Sequence, residues 1–259
     1  MPQHQRIYSE QSNRICHLLI EWHALKLNAL PFIRAQEYAE LSEIRTKTDR
    51  IISEIREIQL DILSKESEKR SEDQLAKEFI LSINKLIEGW SSPILRSYAV
   101  IPDKLYVGEI PSSTEDLILQ QKIELLSQLG ITKIINLTEE GETNFKGIPL
   151  RDYSHALTEK IEMKRMSIKD LDIPTKSEMS EILKVVREHL HSGERVYVHC
   201  WGGIGRTGTV LGCFLIEQGI LEVEHAIPFI AFLKRNTTIR DIESPETPEQ
   251  RKFILSWKD

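Results

Sequence analysis

Cys200 and Arg206 enclose a glycine-rich segment, and their types and spacing point more clearly to chemistry than any others in the sequence. An apolar run, residues 195–199, precedes the segment, and a helical pattern follows it from Thr207. Glycines allow the backbone to curl so that its N–H groups face inward and form a cradle for an anion. The residues predicted to line this cradle between the two side chains are Trp201, Gly202, Gly203, Ile204 and Gly205.

In such a cradle the cysteine is well placed to act as a nucleophile. The N-terminus of the following helix carries partial positive charge, which stabilises both a bound anion and a thiolate at Cys200. The planar guanidinium of Arg206 matches two phosphoryl oxygens, a geometry that lysine does not offer. The Thr207 hydroxyl is near enough in sequence to hydrogen-bond the sulfur as a leaving group. We therefore predict a nucleophile at the floor of a phosphate-shaped site.

The segment also resembles a known family. His199, Cys200, Gly203, Arg206 and Thr207 match every fixed position in the signature of the cysteine-dependent protein tyrosine phosphatase superfamily. The chain is similar to the compact, dual-specificity-like branch over residues 97–259, while residues 1–90 show no such likeness. This resemblance implies two-step covalent catalysis through a cysteinyl phosphate, with no metal and no other cofactor.

The resemblance also implies a general acid. The family carries an aspartate four residues before a proline on a mobile loop, and Asp170 has this spacing to Pro174, thirty residues before Cys200. Its implied role is to protonate the leaving oxygen and then to activate water. Asp172 in the same segment is the alternative, and a solvated carboxylate without a catalytic role is the alternative for Asp170.

Two further residues have supporting roles. His199 is predicted to orient the loop through hydrogen bonds, with a strand-end histidine that leaves the thiol unaffected as the alternative. In part of the family a late glutamine positions the hydrolytic water, and Gln250 is the candidate here. However, Thr247, Pro248 and Gln250 also fit a helix capping box, and we favour this structural interpretation.

The surrounding pattern predicts an α/β fold with a central, largely parallel sheet flanked by helices, preceded by an all-helical extension. Short apolar runs alternate with helical patterns throughout the second part of the chain. Strands are predicted at 104–107, 132–137, 164–168 and 195–199, and helices at 114–129, 176–191, 207–218, 221–235 and from Thr247. We predict a helical extension over 1–92 and a catalytic domain over 97–259.

The extension has two amphipathic stripes. A seven-residue apolar repeat begins at Leu41, and a second stripe covers residues 75–90 after a polar break at 64–74. We predict that these two stripes pack together as an antiparallel hairpin, supported by an earlier helix at 12–28. A packed extension without chemistry is the favoured role, with self-association and substrate recruitment as alternatives.

Composition excludes several classes of function. The chain has 259 residues, a net charge of −6 and 29% charged residues, which disfavours sequence-independent nucleic-acid binding. No apolar run approaches the roughly 20 residues of a membrane span, and no histidine shows metal-ligand spacing.

Three cysteines indicate no disulfide framework, and Cys213 is expected to be a buried thiol, with a reversible disulfide to Cys200 as the alternative. The first residues lack a secretory pattern, so a cytoplasmic location is expected; export as an effector is also compatible with the sequence.

Four functions are compatible with these features. We favour hydrolysis of phosphotyrosine in proteins, with phosphoserine and phosphothreonine as further substrates. The second is a phosphoinositide or inositol phosphate phosphatase, although the loop lacks the added lysine common in such enzymes, which favours singly phosphorylated substrates. The third is a non-catalytic adaptor for phosphorylated ligands, which would not need Cys200. The fourth, a rhodanese-like sulfur transferase, fits Arg206, Thr207 and the upstream acid loop poorly.

Overall fold

The structure is a computed structural model that describes residues 7–35, 37–64, 74–92, 94–144 and 146–258. Residues 65–73, which make up most of the predicted polar break, lie outside the described residues, as do short pieces of both predicted domains.

A five-stranded sheet forms the centre of the α/β part, with the order β1-β2-β5-β3-β4. Its strands are β1 (Ser97–Ile101), β2 (Leu105–Gly108), β3 (Lys133–Asn136), β4 (Glu162–Arg165) and β5 (Val196–His199). Only β1 runs antiparallel to its neighbour β2; the other pairs are parallel. The predicted largely parallel sheet flanked by helices is therefore confirmed. Strand β1, at one edge, was not predicted from the apolar pattern.

Strand β5 lies at the middle of the sheet, and all four of its residues are buried. Helices cover both faces of a parallel sheet, which explains why this strand is a continuous apolar run up to its final histidine. Its last residue, His199, pairs with Gly108 of β2 and with Asn136 of β3. The carboxyl ends of three parallel strands thus meet at one edge, where ligands bind in open α/β sheets.

The α-helices described in this part are α5 (Asp116–Gln128), α6 (Lys176–His191), α7 (Gly205–Glu217), α8 (Ala226–Leu233) and α9 (Pro248–Leu255). Helix α7 follows the cysteine loop and is buried from Gly205 to Ile216. It begins two residues before the predicted start at Thr207, which places Arg206 in its first turn. The predicted helix at 221–235 is divided into a 3₁₀ turn, Val223–His225, and α8.

The helical part consists of α1 (Ile7–Ala35), α2 (Tyr38–Ser64), α3 (Gln74–Leu81) and α4 (Ile83–Glu88). Here the predicted pairing was wrong, because α2 packs mainly along α1. The amide of Gln11 donates to Asp61 at 2.9 Å and Arg14 Nε donates to Glu54 at 2.8 Å, which shows an antiparallel α1–α2 hairpin. The physical reason is length: α1 spans 29 residues and matches the 27 of α2, whereas the second stripe is broken at Ser82.

The helical part shares a hydrophobic core with the α/β part. The Phe79 ring lies 5.8 Å from the Phe229 ring, and the Trp22 ring lies 6.5 Å from that of Phe232 on α8. The Ser12 hydroxyl donates to the carbonyl of Ile220 at 2.6 Å. Among the described residues, no helix has the length and apolar character needed to cross a bilayer.

Candidate active site

The end of β2 anchors the loop that follows β5. Gly203 has φ of 72°, and a Cβ atom added there would lie 2.4 Å from the carbonyl carbon of Gly108. Only glycine therefore fits both the conformation and the close approach. The Ile110 N–H donates to the Trp201 carbonyl at 3.1 Å, which fixes the other side of the loop.

A cavity of about 500 Å³ opens above this loop. Its lining comprises Arg96, Glu109, Thr143, Asn144, Asp170, Leu171, Cys200, Trp201, Gly202, Ile204, Gly205, Arg206, Glu246 and Gln250. The structure therefore brings most of the predicted site residues together. Gly203, His199 and Thr207 do not line the cavity: Gly203 packs against Gly108, and the other two are buried.

The guanidinium of Arg206 is buried and oriented by two carboxylates and a carbonyl. Glu142 holds it in a bidentate pair, with Nη1 to Oε2 at 2.6 Å and Nη2 to Oε1 at 2.7 Å. Nη1 also donates to the Ile168 carbonyl at 3.0 Å, and Asp170 Oδ1 lies 2.8 Å from Nη2. Burial by itself lowers the pKa of Arg206, but the hydrogen bonds to Glu142 and the charges of Cys200, Glu142 and Asp170 outweigh it, so the pKa lies above its usual value.

Glu142 is the functional residue that the sequence analysis missed. No sequence spacing ties this glutamate to Arg206, which is 64 residues away. Its side chain is almost fully buried, and a buried glutamate requires a charged partner. We infer that Glu142 positions the arginine for ligands in the cavity.

The side chains of the two candidate acids, Asp170 and Asp172, differ in whether they line the cavity. Leu171, the residue between them, has a positive φ of 61°. Asp170 lines the cavity with Cys200 and contacts Arg206. The carboxylate of Asp172 accepts from the Ile173 N–H at 2.8 Å and does not line the cavity. The geometry therefore favours Asp170 for chemistry at Cys200.

His199 is buried beneath the loop. Its Nδ1 lies 3.0 Å from the Cys200 carbonyl oxygen, and its Nε2 lies 2.6 Å from the Tyr153 hydroxyl. Burial lowers the pKa of His199 to about 3, so the ring is neutral at neutral pH. These partners assign the proton to Nδ1, which donates to the carbonyl, while the tyrosine hydroxyl donates to Nε2. This arrangement supports the predicted orienting role.

The predicted hydrogen bond from Thr207 to the sulfur is not formed. Thr207 Oγ1 is buried and has no hydrogen-bond partner among the described residues. Because α7 begins at Gly205, Thr207 is the third residue of the helix and not part of the loop. The hydroxyl is left as an unused donor in the first turn.

Gln250 has the predicted capping role and also lies at the site. Its backbone N–H donates to the Thr247 hydroxyl oxygen at 3.2 Å, and its side-chain oxygen accepts from the Thr247 N–H at 3.1 Å, which completes the capping box of α9. The side chain is buried, and Nε2 donates to the Asp172 carbonyl at 3.1 Å. Gln250 therefore connects α9 to the segment that carries Asp170.

No metal-binding cluster of histidine, cysteine or acidic residues occurs in the described ranges. Cys16, Cys200 and Cys213 are free thiols. Burial raises the pKa of Cys213 above its usual value, which fits the predicted inert thiol within α7.

Comparisons with known proteins give matches over parts of the chain. A family model described as a polymorphic toxin system DSP-PTPase phosphatase matches residues 111–220. An uncharacterized protein of Methanocaldococcus jannaschii is 34% identical over 90 residues, which cover 35% of this chain and 55% of that protein. A rat protein named phosphatidylglycerophosphatase and protein-tyrosine phosphatase 1 is 26% identical over 162 residues, covering 61% of this chain and 78% of that protein. The chain thus spans just over half the length of the archaeal relative.

A solved structure is also similar. The crystal structure of a kinase associated phosphatase, with its catalytic cysteine replaced by serine, covers 60% of this chain and 85% of its own, with 21% identity and a TM-score of 0.49.

Proposed function

Because the chain carries a domain of the cysteine-based protein tyrosine phosphatase superfamily, we propose that it hydrolyses phosphomonoesters through a cysteinyl-phosphate intermediate at Cys200. The favoured substrates are proteins that carry phosphotyrosine, with phosphoserine and phosphothreonine as further substrates. One observation supports this most strongly: Cys200, Arg206 and Asp170 line the same cavity. We expect the reaction in the cytoplasm, or in a target cell if the protein is exported as an effector.

In the first step the Cys200 thiolate attacks phosphorus, an S–P bond forms, and the P–O bond to the leaving group breaks. Arg206 and the loop N–H groups stabilise the charge on the transferring oxygens. Asp170, as the neutral acid, gives its proton to the leaving oxygen. The incoming phosphate competes with the Asp170 side chain for Arg206 Nη2.

In the second step the ionised Asp170 takes a proton from water, whose oxygen attacks phosphorus. The S–P bond breaks, inorganic phosphate leaves, and the thiolate is restored. Gln250 lines the cavity beside Gly205 and is the candidate to position this water. No step requires a metal ion or a further cofactor.

The cavity walls support an aryl phosphate as substrate. Trp201, Leu171 and Ile204 contribute apolar side chains beside the cysteine, a surface suited to an aromatic ring. A phosphoinositide phosphatase is the second candidate. The name of the rat relative includes a phospholipid phosphatase activity, on phosphatidylglycerophosphate, beside a protein-tyrosine phosphatase activity, so lipid substrates belong among the candidates. A non-catalytic adaptor remains the candidate of another class, although it has no use for Cys200 in the cavity.

A substrate panel tests the proposal. We expect hydrolysis of p-nitrophenyl phosphate in the presence of EDTA, and faster phosphate release from phosphotyrosine peptides than from phosphoinositides. Faster release from phosphoinositides would support the second candidate. Binding of phosphopeptides without any release of phosphate would support the adaptor and contradict the proposal.

Replacement of Glu142 tests the positioning of Arg206. In Glu142→Gln one carboxylate oxygen becomes an amide NH₂, so the bidentate pair is lost. Since Asp170 and the Ile168 carbonyl remain, we expect a loss of about 2 kcal/mol in the free energy of unfolding, less than for an isolated buried pair. We also expect kcat/KM for p-nitrophenyl phosphate to fall about tenfold. Urea denaturation and steady-state kinetics measure the two effects.

The control for this variant is Glu140→Gln, a neighbouring exposed glutamate. It removes the same charge from the same segment without touching Arg206, and both quantities should stay at the wild-type values. Equal effects in the two variants would show that Glu142 acts only through general charge.

A further inference from the structure

A second arginine lines the cavity. Among the described residues that line it, the cationic ones are Arg96 and Arg206. Arg206 belongs to the cysteine loop and is fully buried, whereas Arg96 precedes β1 in the chain and its side chain is 52% exposed. The two guanidinium groups are therefore available to different parts of a ligand.

The backbone of Arg96 is fixed next to the loop. Its carbonyl accepts from the Glu109 N–H at 3.2 Å. Glu109 follows Gly108, the last residue of β2, against which Gly203 of the loop packs. Tyr197 of β5 also donates to the Glu109 carbonyl at 2.6 Å. Arg96 thus belongs to the same rigid strand ends that carry the cysteine loop.

The charge around Arg96 is not neutralised. Its Nε lies 3.4 Å from Glu109 Oε2, while Oε1 of the same carboxylate accepts from Lys122 Nζ at 2.8 Å. Lys122 and Glu109 are both largely buried and lie closer together than Arg96 and Glu109, so the Lys122–Glu109 ion pair is the tighter of the two. One carboxylate is shared by two cations, which leaves a net charge of +1. Within the described residues, the two Nη groups of Arg96 have no hydrogen-bond partner.

We propose that Arg96 forms a second anion subsite, and that the substrates are phosphomonoesters carrying a further phosphate or carboxylate near the reacting phosphate. The inference rests on the proposed function, because the reacting phosphate must occupy the loop at Cys200. The paired Nη donors of a guanidinium suit two oxygens of such a group. Another part of the lining carries the carboxylate of Glu246, which repels anions and leaves the Arg96 side as the favourable position.

This subsite adds a charge that the loop sequence does not show. The prediction of singly phosphorylated substrates depends only on the residues between Cys200 and Arg206, none of which is charged. A phosphotyrosine with acidic neighbours and an inositol bisphosphate both present the required second group. The experiment below distinguishes these two sources of the second anionic group.

Two matched substrate pairs test the subsite in wild type and Arg96→Ala. One pair is a phosphotyrosine peptide with Asp and Glu neighbours against the same peptide with Asn and Gln. The other is a soluble inositol bisphosphate against an inositol monophosphate. For at least one pair we expect wild type to prefer the more anionic member, and Arg96→Ala to reduce the ratio of kcat/KM values by about tenfold. The matched control is Arg45→Ala on α2, an arginine 84% exposed and outside the cavity, which should leave the ratio unchanged.

The affected pair identifies the source of the second anion. A wild type without preference in either pair, or a preference that survives in Arg96→Ala, would overturn the inference. Binding of the same four compounds to Cys200→Ser, with and without Arg96→Ala, measures the preference without turnover. If wild type hydrolyses none of the compounds, nor p-nitrophenyl phosphate, the proposed function fails, while the binding ratio still decides on the subsite.

Discussion

Replacement of Cys200 by serine is expected to reduce kcat for p-nitrophenyl phosphate by about 10⁴-fold or more. The reason is that a serine hydroxyl is not ionised at neutral pH, so the group that forms the covalent bond is lost. The Arg206–Glu142 pair does not involve the cysteine, so we expect phosphate binding to persist. Steady-state kinetics and calorimetric titration with inorganic phosphate measure the two quantities.

Cys213→Ala is the matched control. This thiol lies on α7 but within the buried core, where burial raises its pKa. The control should keep kcat within a few-fold of wild type. Substantial activity in Cys200→Ser would contradict covalent catalysis at this residue and would require another nucleophile.

Asp170→Asn is expected to lower kcat by about 10²-fold, in the range usual for loss of a general acid. An amide neither donates a proton to the leaving oxygen nor takes one from water. The loss should be larger for phenyl phosphate than for p-nitrophenyl phosphate, since p-nitrophenolate leaves more readily without protonation. The pH–rate profile should also lose its basic limb. Kinetics with both esters across pH measure these effects.

Asp172→Asn provides the comparison, because it changes the same loop and the same charge at a carboxylate directed away from the cavity. It should keep both the leaving-group dependence and the basic limb. If the limb instead disappears in Asp172→Asn and persists in Asp170→Asn, the acid has been assigned to the wrong residue.

The sequence was sufficient for the parts of the site that lie close together in the chain. Cys200, the glycines and Arg206 belong to one strand–loop–helix unit, so their spacing carries the geometry. Helix α6 was predicted with its observed bounds, Lys176–His191. In the structure a capping box at Thr175 and the positive φ of Gly193 mark its two ends.

The parts that the sequence did not reveal depend on distant contacts. Glu142 and Arg96 reach the cavity through packing of separate segments, and neither is marked by a local pattern. The α1–α2 hairpin is a similar case: an apolar stripe shows that a helix is packed, but not which helix covers it. The predicted hydrogen bond from Thr207 to the Cys200 sulfur was wrong for a local reason: α7 begins two residues earlier than predicted.

The central claim is that Cys200 is the reactive nucleophile of an anion-binding loop, and alkylation by iodoacetate tests it most directly. We predict that iodoacetate at neutral pH modifies Cys200 rapidly and alone, because burial raises the pKa of the thiols of Cys16 and Cys213. Inorganic phosphate should slow the reaction by occupying the loop. Peptide mass spectrometry identifies the modified residue. A Cys200 that reacts as slowly as an ordinary thiol, or at a rate that phosphate does not change, would contradict the account.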